Sequence, residues 1–436
     1  MPAKKNTAKP RRAVIVGGVR TPFIRAFGPF TQLDTIALGT ACVKGLLNQF
    51  PVEWKELDSL VWGGTILPGG IAVNIGREII FDVGLPDTLE SYTVTRACTT
   101  SMLSTTLAAA SIERGDAEVI IAGGSDSTSN VEVRMPPTLV HKAAPVVMSA
   151  KSTPVDYLKL LTKIHPKNDI VPSRPSIRER TTGELMGESA EKMAGMHGIS
   201  REDQDAFAVQ SHSRAAKALA AGRFAKEIIP VETPNGETVY ADNILRGDTS
   251  VDKMARLKPA FKEDGTLTAG NSSALTDGAS AVLMMSEEKA KALGFTPLAA
   301  VTSWSYDAVD PNDQLLIGPA LSMPKAAAKA GMTADDIDIF DIHEAFAAQV
   351  LCVIKMLGND EFCQQRLGLD KAFKKLDPQD INLLGGSLAF GHPFAATGTR
   401  MISTMANELH ESGKQSALLG ICAGGALSGA MVLEAV

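Results

Sequence analysis

No stretch of this chain approaches the roughly 20 consecutive apolar residues that a bilayer-spanning helix requires. The best apolar candidates are strand-length pieces such as Val119-Ile120-Ile121-Ala122, so the chain is not expected to be an integral membrane protein. Positive charge is not in excess either: 43 Lys and Arg stand against 49 Asp and Glu, for a formal net charge of -6. That balance excludes the broad basic footprint of a nucleic-acid-binding domain, although a local cluster can still take a small polyanion. Paired cysteines are missing as well. The five cysteines, at 42, 98, 352, 363 and 422, are odd in number and include no Cys-x-x-Cys pair, and no signal-peptide pattern opens the sequence. Free thiols in a reducing compartment are the expectation. Finally, no acidic residue precedes Asp34, while residues 1–12 carry Lys4, Lys5, Lys9, Arg11 and Arg12. This faintly resembles an organelle transit peptide. Its shortness, its lack of serine and its direct run into Ala13-Val14-Ile15-Val16 favour a basic tail.

What is present is ample apolar material: 436 residues that are 44% hydrophobic can bury a large core, which length alone divides into roughly two to four domains. Short β-branched runs punctuated by Gly alternate with Ala- and Leu-rich helical stretches up to about Ser129, the texture of α/β layering. From 130 to 257 that texture thins, and Pro, Lys, Arg and Met become frequent around one amphipathic stretch, 204–221. This segment reads as a helical and loop insertion. After Pro259 the α/β pattern resumes, with 279–285 as a buried strand. A faint repeat links the two ends of the body. Cys98 opens a helical run to Arg114, then a strand and Gly123-Gly124; His392 opens a run to His410, then a strand and Gly424-Gly425. A duplicated fold would place Cys98 and His392 at equivalent helix N-termini, facing each other where strand ends build sites.

Each reactive residue has a bland reading beside the chemical one. Cys98, in Thr95-Arg96-Ala97-Cys98-Thr99-Thr100-Ser101, sits where an extended run meets a helix start, a setting that stabilises a thiolate; a buried structural cysteine is the alternative. Cys422 ends an apolar strand before Gly424-Gly425, where backbone N–H groups can approach a ligand closely; a core strand and tight turn would look the same. His392 lies in a glycine-rich loop, Gly391-His392-Pro393, where a histidine can be functional or can cap a turn. His343, in Asp341-Ile342-His343-Glu344-Ala345-Phe346, is ambiguous alone, since neighbouring side chains on a strand point apart. None of the four lies two to five residues from another, as structural zinc sites usually require, so no metal is expected. The other histidines, 141, 165, 197, 212 and 410, lack a comparable setting, and Cys42, Cys352 and Cys363 are expected to pack.

Taken together, the four segments resemble the thiolase family, and the likeness runs from Arg20-Thr21-Pro22 to Met431-Val432-Leu433-Glu434. The chain most resembles 3-ketoacyl-CoA thiolases of the β-oxidation multienzyme (trifunctional β-subunit) type, which carry His-Glu-Ala-Phe, as at 343–346, where many thiolases have Asn-Glu-Ala-Phe. The resemblance implies a duplicated five-layered αβαβα thiolase fold. It divides the chain into an N-terminal half (1–129 plus 258–287), a loop domain covering coenzyme A (130–257) and a C-terminal half (288–436). By the same resemblance Cys98 is the acylated nucleophile, His392 activates it, Cys422 exchanges the proton at the acetyl α-carbon, and His343 and His392 hold the enolate. The backbone N–H groups of Cys98 and Gly424 would hold the tetrahedral oxyanion. Met186, Arg246 and Ser273 would contact coenzyme A, which is a substrate, and no metal or redox cofactor is implied. The sequence departs from biosynthetic relatives at Leu185 and Lys253, and Ala426 replaces a Gly common in Cys-x-Gly-Gly-Gly. A homodimer or an assembly of dimers, a hydratase/dehydrogenase α-subunit as partner, and a bacterial-like cytoplasmic location (a mitochondrial one as alternative) complete the expectation. A ketoacyl synthase would not need Cys422, and a silent lipid-binding scaffold would not need all four side chains.

Overall fold

The computed structural model describes residues 11–68, 73–133, 135–171 and 178–436; residues 1–10, with Lys4, Lys5 and Lys9 of the basic stretch, lie outside them. Two compact units emerge, one from the residues up to Asn130 together with Glu179–Val436, the other Val131–Arg178. The smaller unit is therefore a narrower segment than the 130–257 insertion read from texture. It carries the helices Pro137–Val147 and Pro154–Lys163, the second started by a capping box between Thr153 and Asp156. Lys142 reaches Asp169 at 2.7 Å within it.

Among the described residues the larger unit has twelve strands: β1 (Ala13–Arg20), β2 (Ile24–Arg25), β3 (Ser59–Gly63), β4 (Glu90–Val94), β5 (Val119–Ser127), β6 (Val231–Glu232), β7 (Thr238–Val239), β8 (Thr276–Ser286), β9 (Ala299–Ala308), β10 (Ile339–Ile342), β11 (Ser416–Ala423) and β12 (Leu427–Ala435). β6 and β7 form a separate ribbon; the others make one sheet in the order β10-β11-β12-β9-β1-β8-β5-β3-β4, with β2 added to β8. The order is two copies of one pattern joined at β1–β9. In the first copy β1 and β5 flank β8 antiparallel, and β3 runs parallel to β5. In the second, β9 and β11 flank β12 antiparallel, and β10 runs parallel to β11.

Alternating side chains explain why this sheet makes layers rather than a flat plane. On β5, Val119 and Ile121 face one core with the helices Thr35–Gln49 and Ile75–Val83, while Ile120 and Ala122 face another. On β11, Leu418 and Cys422 face the helices Pro319–Lys329 and Ala347–Leu357, while Leu419 and Ile421 turn inward. The shared inner core holds Met102, Ala108, Ala109 and Ile112 of the helix Thr100–Arg114 with Met401, Ile402, Met405 and Ala406 of Thr397–Ser412. Two helices thus lie between the two halves of the sheet, with helices outside each. The αβαβα layering expected from the resemblance is present. Central strands of the sheet are covered on both faces: all eleven residues of β8 are buried, its polar Thr276, Asp277, Ser280 and Ser286 included. No helix among the described residues is long and apolar enough to cross a membrane.

The repeat is real, but its register differs from the one read along the sequence. Each central helix is preceded by a 3₁₀ turn, Ala97–Thr99 in one half and Phe394–Ala396 in the other. Cys98 is therefore the counterpart of Ala395, and His392 stands three residues upstream, bridged to Leu275. Gly123-Gly124 also sits within β5, whereas Gly424-Gly425 lies in the hairpin turn after β11. A Cβ on Gly124 would stand 2.5 Å from the Ala395 carbonyl, so this pair serves close packing between the halves.

Candidate active site

The 3₁₀ turns aim the reactive groups. Ala97 has φ 47° and Phe394 φ 26°, left-handed values that non-glycine residues seldom take, so each chain enters its turn sharply just before the central helix. Thr100 Oγ1 accepts the Arg96 N–H at 2.7 Å and donates to the Ala97 carbonyl at 2.6 Å, fixing the first turn. Asp126, at the end of β5, ties the halves together. Its carboxylate accepts from the N–H groups of Thr65 (2.9 Å), Ile66 (2.6 Å) and Ala395 (2.8 Å).

These constraints bring Cys98 Sγ to 3.1 Å from His392 Nε2. His392 Nδ1 is 2.7 Å from Thr397 Oγ1, and donating its proton there leaves Nε2 as the acceptor facing the thiol. The His343 ring lies beside it, centroids 4.2 Å apart. His343 Nδ1 meets Ser387 Oγ at 3.1 Å, and Arg400 donates to the same hydroxyl at 3.1 Å. His343 Nε2 is buried with no hydrogen-bond partner among the described residues. Cys422, 1% exposed at the end of β11, lies close enough to the same centre to feel the charge of Cys98. The Gly424 and Cys98 backbone N–H groups both point at the Cys98 sulfur.

Burial governs the electrostatics. It pushes the Cys98 thiol up to about 12, against the pull of the Gly424 N–H, with the Asp126 charge adding to the rise. It holds His392 down to about 3, with Arg400 contributing, and lowers His343 well below the ordinary imidazole range. Burial also raises Cys422 far above the usual thiol range. At rest the site therefore contains two neutral thiols and two neutral imidazoles.

The side chains that hold this site were not singled out in the sequence. Glu344 does not bind its neighbour His343; its carboxylate takes Ser211 Oγ at 2.7 Å, Asn382 Nδ2 at 2.8 Å and the Leu388 N–H at 3.1 Å. Asn382, at φ 52°, also accepts the Ile342 N–H at 2.7 Å and donates to the Ile342 carbonyl at 2.8 Å. A Cβ on Gly386 would stand 2.4 Å from the Glu344 carboxylate, which is the local reason for glycine there. Asn382, Ser387 and Arg400 lie on segments after β10 whose local pattern gives no sign that they meet at one point.

The residues expected to contact coenzyme A occupy different places. Met186 starts the helix Met186–His197, its sulfur 3.8 Å from where a Gly424 Cβ would lie. Arg246 lines a groove of about 240 Å³ with Lys253, Thr249, Ser272 and Leu388. Its backbone N–H donates to His212 Nδ1 at 3.2 Å. Ser273 is next to that groove rather than in its wall, its N–H bonded to the Ala345 carbonyl at 2.9 Å, two residues from His343. Of the positions that depart from biosynthetic relatives, Leu185 caps the helix through its N–H to Glu188 at 2.6 Å, and Lys253 pairs with Asp248 at 2.7 Å. Ala426 takes φ 55°, so the replacement of Gly falls where Gly is the easier residue. One ligand atom from each of Cys98, His343 and His392 lies within 4.8 Å of the others, a cluster that sequence spacing does not reveal.

Comparison with known proteins agrees with this geometry. Residues 13–288 match the family model described as "Thiolase, N-terminal domain" and residues 295–435 the one described as "Thiolase, C-terminal domain". The chain is 42% identical over 426 residues, 97% of each chain, to a 3-ketoacyl-CoA thiolase of Pseudoalteromonas atlantica. It is 40% identical over 430 residues, 98% of each, to one of Shewanella piezotolerans. Human mitochondrial 3-ketoacyl-CoA thiolase superposes with a TM-score of 0.80 at 28% identity, covering 98% of this chain and 99% of the other. The Bacillus anthracis acetyl-CoA acetyltransferase gives 0.80 at 30% over the same shares. With family models covering nearly its whole length, and a cysteine and two imidazoles brought together from both matched halves, the chain belongs to the thiolase family and is an acyltransferase.

Proposed function

We propose that the chain carries out thiolytic cleavage of 3-ketoacyl-CoA to acetyl-CoA and a shortened acyl-CoA, reversibly, through an acyl group on Cys98. The observation that carries this reading is the 3.1 Å contact between Cys98 Sγ and the neutral His392 Nε2, with backbone N–H groups at the sulfur. A thiol held near pKa 12 does not ionise ahead of reaction. Attack on the 3-keto carbon is therefore coupled to transfer of the S–H proton to His392. The tetrahedral oxyanion is held by the N–H groups of Cys98 and Gly424, the C2–C3 bond breaks, and the electron pair moves into the thioester of the departing acetyl-CoA.

That enolate needs its own donors. Arg400 donates to Ser387, whose hydroxyl proton is then free for His343 Nδ1, which leaves the His343 proton on Nε2. An unpaired buried donor costs about 1–3 kcal/mol, a penalty relieved when the enolate oxygen arrives. Cys422 gives its proton to the enolate carbon. Coenzyme A gives its thiol proton to the Cys422 thiolate, its own thiolate attacks the acyl-Cys98 carbonyl, and the C–S bond to Cys98 breaks as the leaving sulfur takes back the proton held on His392. As written, the cycle uses no metal or redox group. Met186 beside Gly424, Arg246 in its groove and Ser273 near His343 trace the path we assign to coenzyme A.

The same reading makes 130–257 a loop domain over coenzyme A between halves 1–129 plus 258–287 and 288–436. It includes a homodimer or an assembly of dimers, a hydratase/dehydrogenase partner subunit, a role in β-oxidation and a cytoplasmic location; His343-Glu344-Ala345-Phe346 and the bacterial 3-ketoacyl-CoA thiolases among the relatives support the β-oxidation role. The test is direct. Acetoacetyl-CoA or a longer 3-ketoacyl-CoA with coenzyme A is expected to yield acetyl-CoA, and intact-mass spectrometry without acceptor is expected to show one acyl group, on Cys98. Absence of any Cys98 adduct with every chain length would refute the proposal.

A further inference from the structure

The two histidines that flank Cys98 are held in the manner of metal ligands. In each imidazole one nitrogen is occupied by a hydroxyl: His392 Nδ1 by Thr397 at 2.7 Å, His343 Nδ1 by Ser387 at 3.1 Å. Such outer contacts fix ring orientation at metal sites. The remaining Nε2 of His392 is 3.1 Å from Cys98 Sγ, and the remaining Nε2 of His343 is buried without a partner. One ligand atom from each of the three residues lies within 4.8 Å of the others. Around a tetrahedral zinc ion, with Zn–S about 2.3 Å and Zn–N about 2.0–2.1 Å, ligand atoms stand about 3.3–3.7 Å apart. The Cys98–His392 separation of 3.1 Å is already close to that spacing, and the widest separation, up to 4.8 Å, closes with a movement of about an ångström. Cys98 is only partly buried, which leaves a way in.

We propose that Cys98, His343 and His392 form an inhibitory site for a borderline-soft divalent cation of the zinc class, with a water in the fourth position. Thiolate and imidazole select zinc or cobalt over magnesium and calcium, which prefer oxygen donors. Binding breaks the Cys98 S–H bond, forms one metal–sulfur and two metal–nitrogen bonds, displaces water from the hydrated ion and releases one proton to solvent; no electron moves. Ser387 Oγ can accept from His343 Nδ1–H, which turns the Nε2 lone pair toward the ion. Above neutral pH an ordinary imidazole is uncharged, so the thiol supplies the only proton lost. The bound ion occupies the sulfur lone pair and the imidazole donor site together, so it blocks acyl transfer without needing a separate regulatory pocket. The occupancy itself does not depend on the thiolase reading, whereas the inhibition rests on it.

The experiment uses the full chain, stripped with a chelator and titrated anaerobically with cobalt(II), no acyl substrate being present. One equivalent is expected to produce a thiolate-to-cobalt band in the near ultraviolet, release one proton and suppress iodoacetamide alkylation of Cys98. Cys98→Ala is expected to lose the band, His343→Ala to weaken binding at least tenfold, and Cys352→Ala, in the core away from the site, to keep both. Magnesium is expected to give no protection. A band that survives in Cys98→Ala, or no band with the wild-type chain at a large excess of cobalt, would overturn the site. Because these readouts need no turnover, a failure of the acyl-transfer assay on metal-free enzyme would count against the proposed function alone.

Discussion

Single side chains divide the labour at this centre by what they touch. In the proposed cycle Cys98 gives its proton to His392, 3.1 Å away, whereas Cys422 sits at the end of β11 with its thiol raised by burial, suited to hold a proton until a carbanion takes it. Replacing Cys422 by Ala is expected to leave Cys98 acylation by acetyl-CoA intact while cleavage and condensation fall at least about a hundredfold, the usual contribution of a positioned acid. Unimpaired cleavage would remove that role. Thr397 acts through His392, as a positioning residue. Thr397→Val keeps the shape but takes away the oxygen that receives the Nδ1 proton, and one such hydrogen bond, about 1–1.5 kcal/mol, corresponds to about a tenfold loss. That loss is expected in kcat with KM little changed; an equal rise in KM would point to a general structural defect instead. The sequence offered Cys98 where an extended run meets a helix start, His392 and Cys422 beside glycines, and His343 beside acidic residues, and the fold brings these segments together. Asn382, Ser387, Arg400 and Asp126 were not legible there, since their meaning lies in contacts made across up to 269 positions of chain, as between Asp126 and Ala395.

At the level of elements, the glycines in the two Gly-Gly pairs have different work to do. Gly424 has no left-handed φ, and its nearest neighbours to an added Cβ are Met186 Sδ at 3.8 Å and Ala97 Cβ at 3.9 Å. Gly424→Ala is expected to fold with a stability change within about 0.5 kcal/mol. Gly124→Ala drives a Cβ to 2.5 Å from the Ala395 carbonyl, and a loss of about 1–3 kcal/mol is expected from denaturant titration. Equal stability of the two variants would contradict the packing described for β5. In the hairpin turn Ala426 carries the left-handed strain that Gly avoids, so Ala426→Gly is expected to stabilise the fold by up to about 1 kcal/mol, read as a higher melting midpoint. The turn-helix-strand order of both halves was legible from apolar periodicity, but the register was not. A 3₁₀ turn of three residues has no periodic signature, so His392 was aligned with Cys98 when Ala395 is its counterpart.

Over the whole molecule, buried titratable groups pull stability in opposite directions with pH. His212 is held to about 4 and His392 to about 3, and His343 is lowered too, chiefly by burial. Below about pH 6.5 the unfolded chain binds protons that these folded imidazoles refuse, so each removes about 1.4 kcal/mol per pH unit as the pH falls. Asp126 and Asp341, raised by burial to about 7, act oppositely. Folded, they bind protons the unfolded chain has already released, so their contribution is present at low pH and is lost as the pH rises through 7. The opposing sets are expected to keep the melting temperature nearly level between pH 7 and 5. Asp126→Asn removes one counterweight, and its melting temperature is expected to fall more steeply with acid than the wild type; parallel curves would show that Asp126 titrates normally. The layered body was legible in outline from the alternation of strands and helices. What the sequence could not convey is that the inner helices of both halves share one core, because that depends on which face of each strand turns inward.

The junction between β1 and β9 carries a further implication. Every strand of the first copy precedes residue 287 and every strand of the second follows 298, and between them the turn at Gly294 has open space around it. Two polypeptides divided there would each retain a complete half-sheet yet expose its inner face, with Cys98 on one and His343, His392 and Cys422 on the other. Neither piece could perform the chemistry, and only their reassembly would restore it. The chain is thus laid out as a ready-made split-protein reporter, in which recovered acyl transfer reads the association of its two fragments.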